Sequence, residues 1–147
     1  FLTETIGRLG IEDNVWFNNR FLSLNELVRY LCATDVYVTP YLNKDQISSG
    51  TLAYALGCGK AVLSTPYLYA EEVLADGRGM LIDFESPDSI AEKVNLILDD
   101  KELKEGLESR AYAYGRRAAW FNVAISYLDL FDRLLRRSGK LKEEPAQ

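Results

Sequence analysis

Residues 35–65 read DVYVTPYLNKDQISSGTLAYALGCGKAVLST, and this stretch decides the fold. It opens with a β-type run that ends at Pro40, which predicts a strand over 35–39. A loop leads to an apolar helical segment over 49–56, and a second β-type run occupies 61–64. Strand, helix and strand in immediate succession form the βαβ unit of a parallel sheet, because parallel strands need a crossover between them.

The same alternation of short strands and helices extends along the whole chain. Val15-Trp16-Phe17 and Met80 to Asp83 are predicted as two further strands. We therefore expect an α/β fold: a Rossmann-like, doubly wound parallel sheet of about four strands, with helices on both faces and a helical C-terminus. Helices are predicted over residues 1–9, after the capping box of Ser23 and Glu26, at 71–75, after Ser86-Pro87, and twice between 101 and 137, with a break near Ala119-Trp120.

Composition bounds the function. With 147 residues, 48% hydrophobic and 27% charged, the chain is typical of one globular domain. A net charge of −5 with scattered basic residues argues against a nucleic-acid partner. The chain has no histidine and no CxxC, so a zinc site or a histidine relay is not expected, and Cys32 and Cys58 are predicted to be buried free thiols. No apolar run approaches the ~20 residues of a membrane span, which favours a cytoplasmic protein.

The helix start at residues 48–51 is the first candidate site. Ser48, Ser49, Gly50 and Thr51 place free backbone N–H groups and hydroxyls at the start of a helix that follows a strand. A phosphate is the natural ligand of such a helix start. The alternative is that a serine only caps the helix and Gly50 only eases packing, and without a Walker lysine or GxGxxG the segment alone leaves both open.

Three segments in one order resemble a known family. They are ATDVYVTPY, SSGTLAYALGCGKAVLSTP and EEVLADGRGMLIDFESPDSIAEKVNLILDD. Together they resemble the C-terminal half of the family 4 (group 1) retaining glycosyltransferases, which have two Rossmann-like domains. The resemblance covers about residues 14–135. It implies that residues 1–137 form a partial C-terminal domain that binds a nucleotide sugar, and that 138–147 form a frayed polar tail.

The resemblance also assigns roles to residues by position. It places the donor diphosphate at residues 48–51. Tyr41 follows the strand-end proline, where the family often has serine, and the 40–47 loop would lie along the sugar or the nucleoside. Glu72 falls on the glutamate that precedes the family's dG-x-x-G motif.

The family's E-x7-E motif is not kept. Its first glutamate falls on Gln46 and its second on Tyr54, so both carboxylates are replaced. In the family the first usually lies near the donor sugar and the second near the ribose. Gln46 is therefore a candidate catalytic position, with its neighbour Asp45 as the alternative, and Tyr54 is a candidate donor contact.

The implied activity is transfer of a hexose from a nucleoside diphosphate sugar to a glycan or lipid-linked acceptor, with no metal or other cofactor. The acceptor-binding N-terminal domain and the family's basic G-R-x-x-x-x-K-G segment are not in this chain, so we expect the fragment alone to be inactive. In the full-length enzyme a peripheral position at the inner membrane surface is expected. Two alternatives stay open: a non-catalytic relative used for binding or assembly, and an unrelated doubly wound domain for another phosphorylated ligand.

Two surface features follow from the same reading. In the family's strand order, the strand at 15–17 is separated from that at 35–39 by two missing strands. The segment 15–17 is therefore expected either to be displaced or to leave an edge through which the chain forms a homodimer. The aromatic run 112–131 is predicted as core, with Trp120 and Phe121 as alternative interface residues, and Arg116-Arg117 is expected to end a helix or to contact a membrane surface or the acceptor.

Overall fold

The computed structural model describes residues 1–138 and contains a three-stranded parallel sheet. Strands β1 (Val36–Thr39), β2 (Ala61–Ser64) and β3 (Met80–Leu81) lie in the order β1-β2-β3. Val36 pairs with Ala61, and Leu63 pairs with Met80. The βαβ unit and the α/β class predicted from residues 35–65 are confirmed. Of the predicted tail at 138–147, the part from residue 139 onward lies outside the described residues.

Helices make up most of the rest of the fold. In the part of the chain that the structure describes, no helix is both long enough and apolar enough to cross a membrane. The α-helices are α1 (Leu2–Leu9), α2 (Leu24–Ala33), α3 (Gly50–Gly57), α4 (Leu68–Leu74), α5 (Pro87–Asp99), α6 (Lys101–Gly115) and α7 (Trp120–Arg137), with short 3-10 turns at Glu12–Asn14 and Arg116–Ala118.

The start of α2 is a closed capping box, as predicted. The Glu26 N–H donates to Ser23 Oγ at 3.4 Å, and the Ser23 N–H donates to Glu26 Oε2 at 3.0 Å. Arg20 Nη2 lies 2.7 Å from Glu26 Oε1 and adds an ion pair. Hydrogen bonding to Arg20 and then to Ser23 lowers the pKa of Glu26 from 4.5 to about 2.

Strand β2 is buried along its whole length and separates two hydrophobic clusters. Val62 packs with Leu56 of α3 and Val73 of α4. Its neighbour Leu63 packs in the other cluster, with Ile97 of α5 and Leu107 of α6. Because successive side chains of a strand point to opposite faces, this division shows that helices cover both faces of the sheet, as predicted.

Helices α3 and α6 cross with their backbones in close contact. A Cβ atom added to Gly115, the last residue of α6, would lie only 2.6 Å from the backbone nitrogen of Gly57, the last residue of α3. After this crossing the chain reverses into β2 at Gly59, whose φ of 66° is left-handed. Gly115 therefore permits the close approach of α6 to the βαβ unit, whereas a Cβ at Gly57 would meet no atom within 4 Å.

The predicted strand at Val15–Phe17 is wrong. These residues are outside the sheet, and Trp16 is 91% exposed. Their β propensity is real, but propensity alone does not make a strand, and this segment does not pair with the free edge of β1. The sheet has three strands rather than four, and the segment 15–17 is displaced from it, which is one of the two alternatives expected.

Two burial predictions are also wrong. Helix α7 has no buried residue, and Trp120 and Phe121 are 88% and 75% exposed, so its aromatic face is not core. Cys32 is exposed, next to Leu31, which is the buried residue of α2. Cys58 is half-buried, and both thiols are free. Burial, followed by the nearby Cys32, raises the pKa of Cys58.

We predict that Gly115→Ala destabilises the fold by about 1–3 kcal/mol, because the new methyl group meets the Gly57 backbone, which cannot move aside as a side chain can. Gly7→Ala in α1 is the matched control, since a Cβ there meets only the Glu12 carboxylate at 3.5 Å. It should be neutral or stabilising by up to about 1 kcal/mol. Urea unfolding measures both; equal effects would show that the crossing is not tightly packed.

We predict a pH-dependent contribution of Glu26 to stability. Its pKa in the folded state is lowered to about 2, so the contribution is fully present above the unfolded value of 4.5 and is lost as pH falls towards 2. The Tm difference between the parent chain and Glu26→Gln should therefore shrink over that range. Glu102→Gln, at an exposed position of α6, is the control. A difference that does not change with pH would contradict the capping-box ion pair.

Candidate functional site

Buried hydroxyl groups join the carboxyl ends of β1 and β2. Thr39, Ser64 and Thr65 are at most 4% exposed. Ser64 Oγ is placed to donate to the carbonyl oxygen of Thr39 at 3.2 Å, and Thr65 Oγ1 donates to the carbonyl oxygen of Tyr41 at 2.5 Å. These bonds fix the first residues of the loop that follows β1, at the edge where doubly wound sheets bind ligands.

The loop at residues 40–48 is held against the start of α4. The N–H of Leu68 donates to the Lys44 carbonyl at 3.0 Å, and the N–H of Tyr69 donates to the Gln46 carbonyl at 3.3 Å. The Tyr41 ring meets the buried Tyr67 ring edge-on, with centroids 5.4 Å apart. The loop backbone therefore uses N–H groups of the first turn of α4.

The start of α3, in contrast, is open. Ser49 is the N-cap of α3, as predicted by the interpretation in which a serine caps this helix. Its Oγ accepts a hydrogen bond from the N–H of Leu52 at 3.3 Å. Within residues 1–138, the N–H groups of Gly50 and Thr51 have no hydrogen-bond partner. A Cβ at Gly50 would meet no atom within 4 Å, so packing does not require the glycine. Two backbone donors at this helix start are thus without a partner among the described residues.

Hydroxyl and amide groups surround this helix start. The Thr51 and Ser49 hydroxyls, followed by Thr39 and Gln46, interact with the Tyr41 hydroxyl, and hydrogen bonding with Thr51 is the main cause that lowers the pKa of Tyr41. Burial raises the pKa of the nearby Tyr37, and the Thr51 side chain partly offsets this shift. The structure therefore brings together four of the predicted residues, Tyr41, Gln46, Ser49 and Thr51.

Gln46 and its neighbours border this cluster of hydroxyl groups. The Gln46 amide Nε2 donates to the Ser48 carbonyl at 2.9 Å and supports the segment that leads into α3. Asp45 is exposed, and its N–H bonds the Asn43 side chain at 3.1 Å in a tight turn. Ser48 is exposed as well. Lys44, in the same loop, lies 5.1 Å from the centre of the Phe84 ring and brings a cation to this edge.

Tyr54 and Glu72 lie apart from the cluster of hydroxyl groups around Tyr41. Tyr54 is on the second turn of α3 and lines a cavity of about 340 Å³ with Val28 and Trp120. Glu72 is exposed on α4, where its carbonyl accepts from Arg78. Burial, followed by Tyr114 and Tyr67, raises the pKa of Tyr69, and the Glu72 carboxylate adds to this shift.

Sequence reasoning missed Thr39, Thr65, Tyr37 and Lys44. The first two carry a usable signal, because a hydroxyl residue directly after a buried strand lies at the ligand-binding edge. The position of Lys44 depends on the long-range contact with Phe84, which no local pattern reports. Within the described residues, no three His, Cys, Asp or Glu side chains are arranged to hold a metal ion.

Comparison with known proteins places this chain in a family. A family model described as glycosyl transferases group 1 matches residues 2–114. A D-inositol 3-phosphate glycosyltransferase from Corynebacterium urealyticum is 28% identical over 152 residues, which cover 99% of this chain and 34% of that protein. An uncharacterized glycosyltransferase from Methanocaldococcus jannaschii is 24% identical over 85% of this chain and 32% of its own length. The chain thus spans about a third of the length of these relatives.

Solved structures share the fold. HepE from Anabaena, solved in complex with UDP-glucose, superposes with a TM-score of 0.74 at 22% identity, over 86% of this chain and 35% of that one. The C-terminal domain of a glycosyl transferase group 1 family protein from Francisella tularensis gives a TM-score of 0.69 at 19% identity, over 83% of this chain and 61% of that one. At these identities the similarity establishes the Rossmann-like fold.

Proposed function

The chain belongs to the group 1 glycosyltransferases, and we propose that it is the donor-binding part of a retaining enzyme that transfers a hexose from a nucleoside diphosphate sugar. The observation that carries the proposal is the open start of α3, where the N–H groups of Gly50 and Thr51 lack partners beside the Tyr41, Ser49 and Thr51 hydroxyls. The first turn of α4, in contrast, already holds carbonyl groups of the loop.

A diphosphate suits this helix start for two reasons. The N-terminus of a helix carries a partial positive charge, and its free N–H groups point at an incoming anion. As the bond to the sugar breaks, negative charge grows on the leaving phosphate, so donors fixed in place stabilise the transition state more than the bound donor. The three hydroxyls add further donors, and the proposed chemistry uses no metal or other cofactor.

The sugar would lie along the loop at residues 40–47. In the proposal Asp45 supplies the exposed carboxylate nearest the position of the family's first glutamate, and Gln46 holds the chain ahead of Ser48. Tyr54, one turn along α3, would contact the nucleoside. Glu72 would contribute to donor binding from α4, whose first turn fixes the loop. HepE was solved with UDP-glucose, which makes UDP the first nucleotide to test.

The acceptor would be a glycan or lipid-linked molecule bound by another part of the enzyme, so we expect no transfer by this chain alone. A non-catalytic relative is the alternative, favoured by the loss of both carboxylates at Gln46 and Tyr54. Only the first reading predicts turnover. Joining the chain to its natural N-terminal half and assaying donor hydrolysis separates them.

We predict that one of UDP, GDP and ADP binds this chain selectively in calorimetric titration. Gly50→Val should weaken binding by at least about tenfold, because its side chain fills the space in front of the free N–H groups, whose bonds to phosphate are worth about 1.5–3 kcal/mol each. Gly7→Val, the same change in α1, is the matched control and should not alter affinity. Nucleotide binding that survives Gly50→Val and Ser49→Pro would refute the helix-start site.

We also propose a homodimer formed through the free edge of β1. In the described sheet this strand pairs only with β2, so its other edge presents unpaired backbone groups. Sedimentation should show a mass that rises with concentration, and hydrogen exchange should show slower exchange at Val36–Thr39 as the dimer forms. A concentration-independent monomer would rule this out, and it would leave the donor site untouched.

A further inference from the structure

A basic pocket lies at the opposite edge of the sheet from the open start of α3. It is found beside the turn that leads into β3, so it is at the amino ends of the strands, whereas the proposed donor site is at their carboxyl ends. Its volume is about 190 Å³. The lining residues are Asp76, Arg78, Arg110, Ala113, Tyr114 and Arg117.

Arg78 lines this pocket, and each of its three guanidinium nitrogens donates a hydrogen bond. Its guanidinium donates to the Val73 carbonyl at 2.7 Å and the Glu72 carbonyl at 2.9 Å, and it pairs with Asp76 at 2.8 Å. It also lies 4.4 Å from the centre of the Tyr114 ring. Arg78 therefore neutralises the only carboxylate of the lining and is itself fixed in place.

Arg110 is positioned by the turn but keeps donors to spare. Its Nε donates to the Gly77 carbonyl at 2.7 Å, and no bond within residues 1–138 engages its two terminal nitrogens. Gly77 has a left-handed φ of 70°, and a Cβ there would lie 2.9 Å from Arg110 Nε. The turn thus has the one residue type that lets this arginine approach.

Arg117 provides the second unsatisfied guanidinium. It is exposed on the 3-10 turn after α6, and it forms no ion pair with any described residue. It also borders a second cavity, of about 310 Å³, lined by Val123, Tyr127 and Leu130 of α7. A cation therefore stands where a polar pocket meets an apolar groove.

We propose that Arg110 and Arg117 bind a phosphate group, either of a free phosphate monoester or of an anionic lipid headgroup. Three guanidinium groups face a single, already paired carboxylate, in a chain whose net charge is −5. The planar fork of arginine matches phosphate oxygens in a bidentate manner. The adjacent apolar groove gives an acyl chain a place to lie, so the same phosphate chemistry serves both sources.

The test uses the chain of residues 1–147 with two probes. Inorganic phosphate is titrated while phosphorus NMR reports binding, and vesicles of phosphatidylcholine with or without phosphatidic acid are tested by flotation. Arg117→Gln is the principal variant, because Arg117 makes no bond that the fold needs. Arg110→Gln is second, and Arg137→Gln on exposed α7 is the charge-matched control. Gly50→Val separates this pocket from the proposed donor site.

Phosphate binding by the parent chain that weakens about tenfold in Arg117→Gln and in Arg110→Gln, but not in Arg137→Gln or Gly50→Val, supports the pocket as a free-phosphate site. Binding only to vesicles that contain phosphatidic acid, with the same response to the variants, identifies a lipid headgroup. The proposal is overturned if neither probe binds, if Arg137→Gln weakens binding as much as Arg117→Gln, or if Gly50→Val abolishes it.

Discussion

The buried strand β2 is the constraint on which the rest of the structure depends. It pairs with both other strands of the described sheet, and its side chains anchor the hydrophobic cluster on each face. Residues 64–65 then continue it into the hydroxyl bonds that hold Thr39 and Tyr41. The same short segment thus organises both the core and the edge at which the candidate site lies.

Sequence reasoning succeeded where the signal is local. Pro40 ends β1, Ser49 caps α3, and Ser23 with Glu26 begins α2, and each of these predictions is confirmed within a residue or two. It failed where the outcome depends on a distant partner. The β-type residues at 15–17 do not pair with the free edge of β1. The periodicity of α7 predicts an apolar face but does not predict that this face is exposed.

The candidate site was likewise predicted only in part. The open helix start at residues 48–51 was predicted, because a strand, a loop and a cap are read from consecutive residues. The group of hydroxyls around Tyr41 was not, because Thr39 and Thr65 join it through the pairing of β1 with β2. The assigned roles of Gln46, Asp45, Tyr54 and Glu72 stay predictions.

Helix α4 forms hydrogen bonds to other segments of the chain at both of its ends. Its first N–H groups hold the carbonyls of Lys44 and Gln46, and its last carbonyls hold the guanidinium of Arg78. One stiff rod of seven residues therefore joins the two opposite rims of the sheet. The loop of the candidate site and the turn that holds Arg78 are thus fastened to opposite ends of one helix, about two turns of backbone apart.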